Sequence, residues 1–303
     1  MNPVSSTNIQ DKSAMENHRA AQRCTWISVA VNLVLSVLQV AVGLFASSQA
    51  LIADGIHSLS DLVSDFVVLF AGHHSKAGPD EDHHYGHYRY ENAASLVLGM
   101  ILLGVGLSML WAAVHKLSDP AAIPSVHMIA LYVAAIALMV KELLFRYMFA
   151  VGQRLRSTLL IANAWHARSD AASSLVVALG IGGNLLGFPL LDPIAALVVG
   201  LMVIKMGWSF AWNSLHDLMD RAADMEEIEK IRAIILETPG VQGLHELRTR
   251  KTGDLIMVDV HLEILGHISV TEGHAIAVEA RRRVMEELPV LDVMTHVDPV
   301  EAA

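Results

Sequence analysis

Cysteine is nearly absent, since Cys24 is the only one in 303 residues. That excludes an intramolecular disulfide and a thiolate cage, so any metal site must use histidine and carboxylate. Charge is scarce too: Asp, Glu, Lys and Arg make up 17% of the chain, against about 25% in an ordinary soluble domain. With 53% hydrophobic residues and a mean hydropathy of +0.46, the chain does not read as a soluble enzyme. Twenty-one basic side chains face 31 acidic ones, giving a formal net charge of -10 with no basic cluster. Nucleic acid is thereby excluded as a partner, because phosphate binding needs grouped cations. No Gly-x-x-x-x-Gly-Lys-Ser/Thr loop offers a nucleotide site, and no His-Glu-x-x-His marks a zinc hydrolase. The first 23 residues are polar and lack a signal-peptide core, so secretion is not expected.

What is present is a series of long apolar windows. A bilayer core of about 30 Å needs roughly 20 predominantly apolar residues per helix. Six windows qualify: Trp26–Ala46, Ala50–Gly72, Ala94–Val114, Val126–Ala150, Thr158–Gly187 and Leu191–Trp212. The fourth is interrupted by Lys141 and Glu142, and the second and fifth carry acids and histidine in mid-helix. Lys12, Arg19 and Arg23 precede the first span, Lys76 and Arg89 join the second to the third, Arg146, Arg154 and Arg156 join the fourth to the fifth, and Arg221 follows the sixth. Only Lys116 lies on the other side. The excess of Lys and Arg predicts that both termini are cytoplasmic, in a multi-pass protein of the cell (inner) membrane. The expected organisation is a cytoplasmic segment 1–23, a six-helix membrane domain 24–213, and a linker with a cytoplasmic domain 214–303. Sixteen of the 31 acidic residues fall from Ala222 onward, which sets that tail apart.

In the second span, Asp54, His57, Asp61 and Asp65 follow at spacings of 3, 4 and 4, one stripe of a helix. In the fifth, His166 and Asp170 share a face at i, i+4. Ionisable groups at membrane depth cost roughly 2.5 kcal/mol or more each and generally mark an ion path. Interhelical hydrogen bonds would explain one such histidine. Two matching His-x-x-x-Asp pairs on separate spans favour metal: facing one another they offer two imidazoles and two carboxylates, a tetrahedral set suited to Zn2+. Asp54 and Asp65 sit one turn to either side, as support for the ligands, as a proton route, or as a helix cap or solvated vestibule acid.

The tail reads as a helix from Asp224 to Glu237, stopped by Pro239-Gly240, then strands Leu244–Arg250 and Leu255–Leu265 joined by a turn at Lys251–Asp254. A helix at Thr271–Leu288 and a strand at Asp292–Val297 complete an αββαβ order, a small open-faced α+β domain.

The six spans, Asp54-Gly-Ile-His57-Ser-Leu-Ser-Asp61, His166-x-x-x-Asp170 and the cytoplasmic tail together resemble the cation diffusion facilitator family of divalent-metal/proton antiporters. Two His-Asp pairs resemble its zinc-type members, whereas bacterial iron/zinc members closest in the tail usually have Asp in place of His57. The resemblance implies several further assignments. Asp80, His83 and His87 would hold a second metal in the loop, with His73, His74, Asp82 and His84 as substitutes; a solvated polar turn is the alternative. Arg89, where the family usually has Lys, and Asp220 would form a charge interlock near a homodimer interface, or only a rim ion pair. His245, His261, His274, His296 and Asp298 would bind a zinc pair in a metallochaperone-like domain near a two-fold axis.

The expected function is export of Zn2+ from the cytoplasm in exchange for protons by alternating access, with Cd2+, Fe2+, Co2+ or Mn2+ as further cargo. Zinc would be both transported and regulatory, the partners being a second copy, the bilayer, divalent ions and protons, with no nucleotide. A membrane-anchored metal sensor or scaffold without transport is the alternative; a membrane metalloenzyme would need an open coordination position and a general base.

Overall fold

The computed structural model describes residues 4–301 apart from 76, 120–122, 124, 156 and 254. The side chains of 4–19, 21, 68, 69, 72–74, 158, 159 and 162 are also left aside. Lys12, Arg19, Lys76, Arg156 and Asp254, used above for orientation and turns, therefore lie outside what is described.

Six long helices come first: α1 (Val4–Phe45), α2 (Gln49–Ser75), α3 (Tyr90–Ser118), α4 (Met128–Leu155), α5 (Thr158–Leu185) and α6 (Leu191–Leu218). The polar start of the chain is a continuous extension of α1, and α6 runs past residue 213 to Leu218. Gln22–Phe45, Tyr90–Ser118, Met128–Leu155 and Leu191–Leu218 are each long and apolar enough to cross a membrane. Among the described residues α2 and α5 do not reach that measure, and acids, histidines and serines occupy their middles. They are the two helices that carry the His-Asp pairs.

The chain divides into two compact units, one of Met1–Phe66 with Gly99–Trp208, the other of Val67–Leu98 with Ser209–Ala303. In the first, Leu51, Ala53, Val133, Ala134, Val177, Ile181, Val199 and Val203 form a closed apolar core. Its outside is apolar as well: Trp26, Trp111, Leu179 and Leu186 are all more than half exposed, as expected where lipid replaces water. Gly55, inside the Asp-Gly-Ile-His stretch, lets α2 lie directly on α1. A Cβ there would fall 3.0 Å from the carbonyl oxygen of Ser36 and closer still to Val40.

In the second unit, α7 (Met225–Leu236), β1 (Val241–Thr252), β2 (Leu255–Leu265), α8 (Val270–Glu287) and β3 (Val290–Val300) keep the αββαβ order. The sheet runs β1-β2-β3, with β1 antiparallel and β3 parallel to the central β2. A parallel neighbour requires a crossover, and α8 supplies it. Ser269 caps α8 by accepting from the N–H of Glu272, whose carboxylate accepts from Ser269 N–H at 2.8 Å. Strand β2 alternates strictly: Ile256, Val258, Val260, Leu262 and Ile264 are buried, and the core they share with α7 and α8 includes Ile231, Ile235, Ala277, Ala280 and Val284. Met257, Asp259, His261 and Glu263 therefore line the opposite, open face.

Candidate metal centres

Among the described residues, three groups of histidine and carboxylate converge, each offering ligand atoms within 4.8 Å of one another: His57/Asp61/Asp170, Asp80/His83/His87, and His245/His261/Asp298.

The first lies in the helical bundle. His57 Nδ1 and Asp61 Oδ2 are 3.6 Å apart, too far for a hydrogen bond. Neither His57 Nδ1 nor either carboxylate oxygen of Asp61 has a hydrogen-bond partner, although all three atoms are buried. Orphaned polar atoms of this kind are costly unless something binds them. A divalent cation between them would satisfy all three, so the donor set fits a metal cargo. The expected four-ligand set is not closed, however. His166 Nε2 stands 3.9 Å from Asp170 Oδ2 with a side chain 60% exposed, at the mouth of the site rather than inside it. Its ring lines a cleft together with Asp61, Asp65, Asp170, Asn163, Thr25 and Ser28. Asp65 is thus a cleft acid. Arg168, between His166 and Asp170 in the sequence, holds its guanidinium over the rings of Phe145 and Trp165.

Asp54 departs from two of the roles expected of it. It is neither a helix cap nor a vestibule acid but is fully buried, its carboxylate accepting from Gln39 Nε2 at 2.5 Å, Ser173 Oγ at 3.1 Å and Ser174 Oγ at 2.6 Å. Lys141 Nζ lies 3.4 Å from both of its oxygens. This pair was missed in the sequence, where Lys141 registered only as an interruption of the fourth span; a cation and an acid both placed in mid-span were the available signal.

In the loop, Asp80 Oδ1 accepts from the N–H groups of His83 at 2.7 Å and Asp82 at 3.0 Å, an Asx-type turn. These backbone donors, that of His83 foremost, hold the Asp80 carboxyl below the ordinary carboxylate range. His83 Nδ1 and His87 Nε2 approach the same carboxylate at 3.4 and 3.3 Å. Gly86 takes φ = 77°, the left-handed turn that brings His87 back beside His83, with ring centroids 4.3 Å apart. His84 and Asp82 line the adjoining pocket with Arg250 and Thr252, and the side chains of His73 and His74 lie outside the described residues. Arg89 and Asp220 form an ion pair, each about half exposed, with Asp220 in the left-handed region at φ = 60°.

In the tail, His245 pairs with His261 across β1/β2, and His261 with His296 across β2/β3, so three imidazoles cross the open face in a row. Asp298 touches all three: 2.9 Å from His261 Nδ1, 3.3 Å from His245 Nε2 and 3.3 Å from His296 Nε2. The His261 ring foremost keeps the Asp298 carboxyl ionised below its usual range. A β-bulge after His245, with Glu246 at φ = 47°, re-aims the end of β1 beside this cluster. His274 does not join it: it is exposed on α8, which covers the other face of the sheet. Glu263, 3.2 Å from His245 Nδ1, joins instead; its i, i+2 spacing from His261 already placed it on that face. Two imidazoles and a bridging carboxylate suit a borderline cation such as zinc.

The model of the cation efflux transmembrane domain matches residues 25–219, and that of the cation efflux protein cytoplasmic domain matches residues 223–300. Metal tolerance protein C1 of Arabidopsis thaliana is 35% identical over 288 residues, 90% of this chain; the match spans 61% of that relative's length. The manganese efflux system protein MneS of Bacillus subtilis is 33% identical over 275 residues, 91% of this chain and 94% of its own. Among solved structures, the metal-bound C-terminal domain of the CzcD transporter from Thermotoga maritima is similar at 26% identity and a TM-score of 0.24, covering 25% of this chain and 88% of that one.

Proposed function

This chain belongs to the cation diffusion facilitator family of divalent-metal efflux proteins, and from that premise we propose that it exports Zn2+ from the cytoplasm in exchange for protons. The observation that carries the reading is the buried convergence of His57, Asp61 and Asp170 with three orphaned donor atoms between the first two. All six helices α1–α6 span the cell membrane, with both termini cytoplasmic, and α2 and α5 tolerate their polar middles because these face the bundle. Zinc binds neutral imidazole and ionised carboxylate, so loading the site releases protons and unloading readmits them. Metal and proton thus compete for one site, and exposing it to each side in turn lets an inward proton gradient drive metal outward. On this reading His166 swings inward as the fourth ligand when metal enters through the cleft.

Donor chemistry supports zinc as the preferred cargo, since imidazole selects Zn2+ over Mn2+ and Fe2+ relative to an all-carboxylate site. Cd2+ and Co2+ share that preference, and the manganese named for MneS makes Mn2+ a cargo worth competing against zinc. In the tail, His245, His261, His296 and Asp298 would hold regulatory zinc; His274, remote in its own protomer, would contribute from a second copy in a homodimer. Flux in proteoliposomes tests the assignment. Asp61→Ala or Asp170→Ala abolishes Zn2+ uptake while the tail still binds zinc, and uptake into acid-loaded vesicles alkalinises the lumen. Wild-type flux in Asp170→Ala, or flux indifferent to the pH gradient, overturns it.

A further inference from the structure

The buried Lys141–Asp54 pair is a group of charges that metal binding does not use. Lys141 is 1% and Asp54 0% exposed, and two charges this deep are expensive unless every donor and acceptor is matched. Here they are matched across four helices. Lys141 of α4 donates to Ser58 of α2 at 2.9 Å and Ser174 of α5 at 2.7 Å, besides facing Asp54 of α2. Asp54 in turn accepts from Gln39 of α1 and from Ser173 and Ser174 of α5.

The position of this network relative to the ligands is informative. Asp54 precedes His57 on α2, while Ser173 and Ser174 follow Asp170 on α5. Because α2 and α5 run in opposite directions through the bundle, Asp54, Ser173 and Ser174 lie on one side of the ligands, while Ser58, between His57 and Asp61, meets Lys141 at the level of the ligands and also lines the cleft. The cleft lies on the other, lined by Asp65 beyond Asp61 on α2 and by Asn163 before His166 on α5. One side of the site is therefore open and the other is tied shut by a single ammonium that bridges both ligand-bearing helices. Beyond the tie, Val177 and Ile181 of α5 are wholly buried in the apolar core.

We propose that Lys141 is a positioning residue of the transport cycle: with Asp54 and the serines it forms a polar bolt that closes the outer side of the metal site, and outward opening requires α2 and α5 to part around it. The side called outer rests on the transport reading and orientation given above. The bolt sets the balance between inward-open and outward-open states without touching the metal.

The test uses the full-length protein in oriented proteoliposomes, in a Cys24→Ala background, with single reporter cysteines at Val177→Cys (beyond the bolt) or Asn163→Cys (in the cleft). A membrane-impermeant maleimide is applied from each side. Single charge variants leave an unpaired buried charge and can fail to fold, so the deciding variant is Asp54→Asn/Lys141→Met, which removes both charges together. Loss of the bolt raises the labelling rate at Val177→Cys from the outer side and lowers it at Asn163→Cys from the inner side. A merely loosened bundle raises both rates, and an inert pair changes neither; either result overturns the bolt. Failure of the transport reading is separate, because it appears as retained flux in Asp170→Ala whatever the labelling rates.

Discussion

Zinc should stabilise the tail by an amount that can be worked out in advance. The segment from Ala222 to Ala303 has its own core, running from Ala223 through Ile231, Val258 and Val284 to Val293, and needs no bundle residue to close it. On its open face Asp298 bridges three histidines at 2.9 to 3.3 Å, so the donors are already assembled and zinc has little ordering left to impose. Metal bound by the folded form alone adds about 2.7 kcal/mol at a free concentration one hundred times its Kd. A domain of this size gains roughly 4–8 °C in Tm per kcal/mol, so the melt should rise by about 10–20 °C. The double variant His261→Ala/Asp298→Asn removes the middle ring and the bridge, and should cut that rise to about 2 °C or less. Acidification to about pH 5 should also abolish it, because protonated imidazole cannot ligate. The metal-free domain has a different acid response. Asp298 has a folded pKa below its unfolded value, so its contribution is present at neutral pH and is lost as pH falls below about 4. The assay is thermal melting by circular dichroism with zinc or with chelator, from pH 8 to pH 3. Coincident curves with zinc and chelator, or a full rise in the double variant, would refute the argument that these side chains form a site.

Three other expectations follow from particular side chains. His57→Asp replaces an imidazole nitrogen with oxygen and should broaden the metal range toward Mn2+ and Fe2+ relative to Zn2+ and Cd2+; unchanged selectivity in competition flux would remove His57 from the ligand set. Gly86→Ala puts a Cβ 2.8 Å from the Tyr88 ring at a positive φ, so the turn joining His83 to His87 should be lost. Metal analysis of the purified protein should then show less bound zinc, with zinc flux retained. Arg89→Ala removes an ion pair that is about half exposed at both ends, which should cost less than about 1 kcal/mol in thermal melts; a much larger loss would give the pair a structural role.

Much of this protein was legible in one dimension because its periodicities are physical. Six apolar windows became six helices, four of them long and apolar enough to cross a membrane, because a helix satisfies its backbone polar groups within one segment. The period-2 pattern of Ile256 to Ile264 fixed which face of β2 is covered, and the i, i+4 spacing of His57 and Asp61 put them on one side of α2. Tertiary structure decided the rest. Whether a given acid on the stripe ligates depends on what the neighbouring helix presents to it: Asp61 meets Asp170 and receives no hydrogen bond, while three residues before His57, Asp54 meets Lys141 and two serines and is fully satisfied. His274 shares its residue type with His261 but sits on the helix covering the opposite face, a distinction set by where the crossover places α8. Side-chain identity and local spacing determine which groups can bind metal, and only the packing of one element on another determines which of them converge.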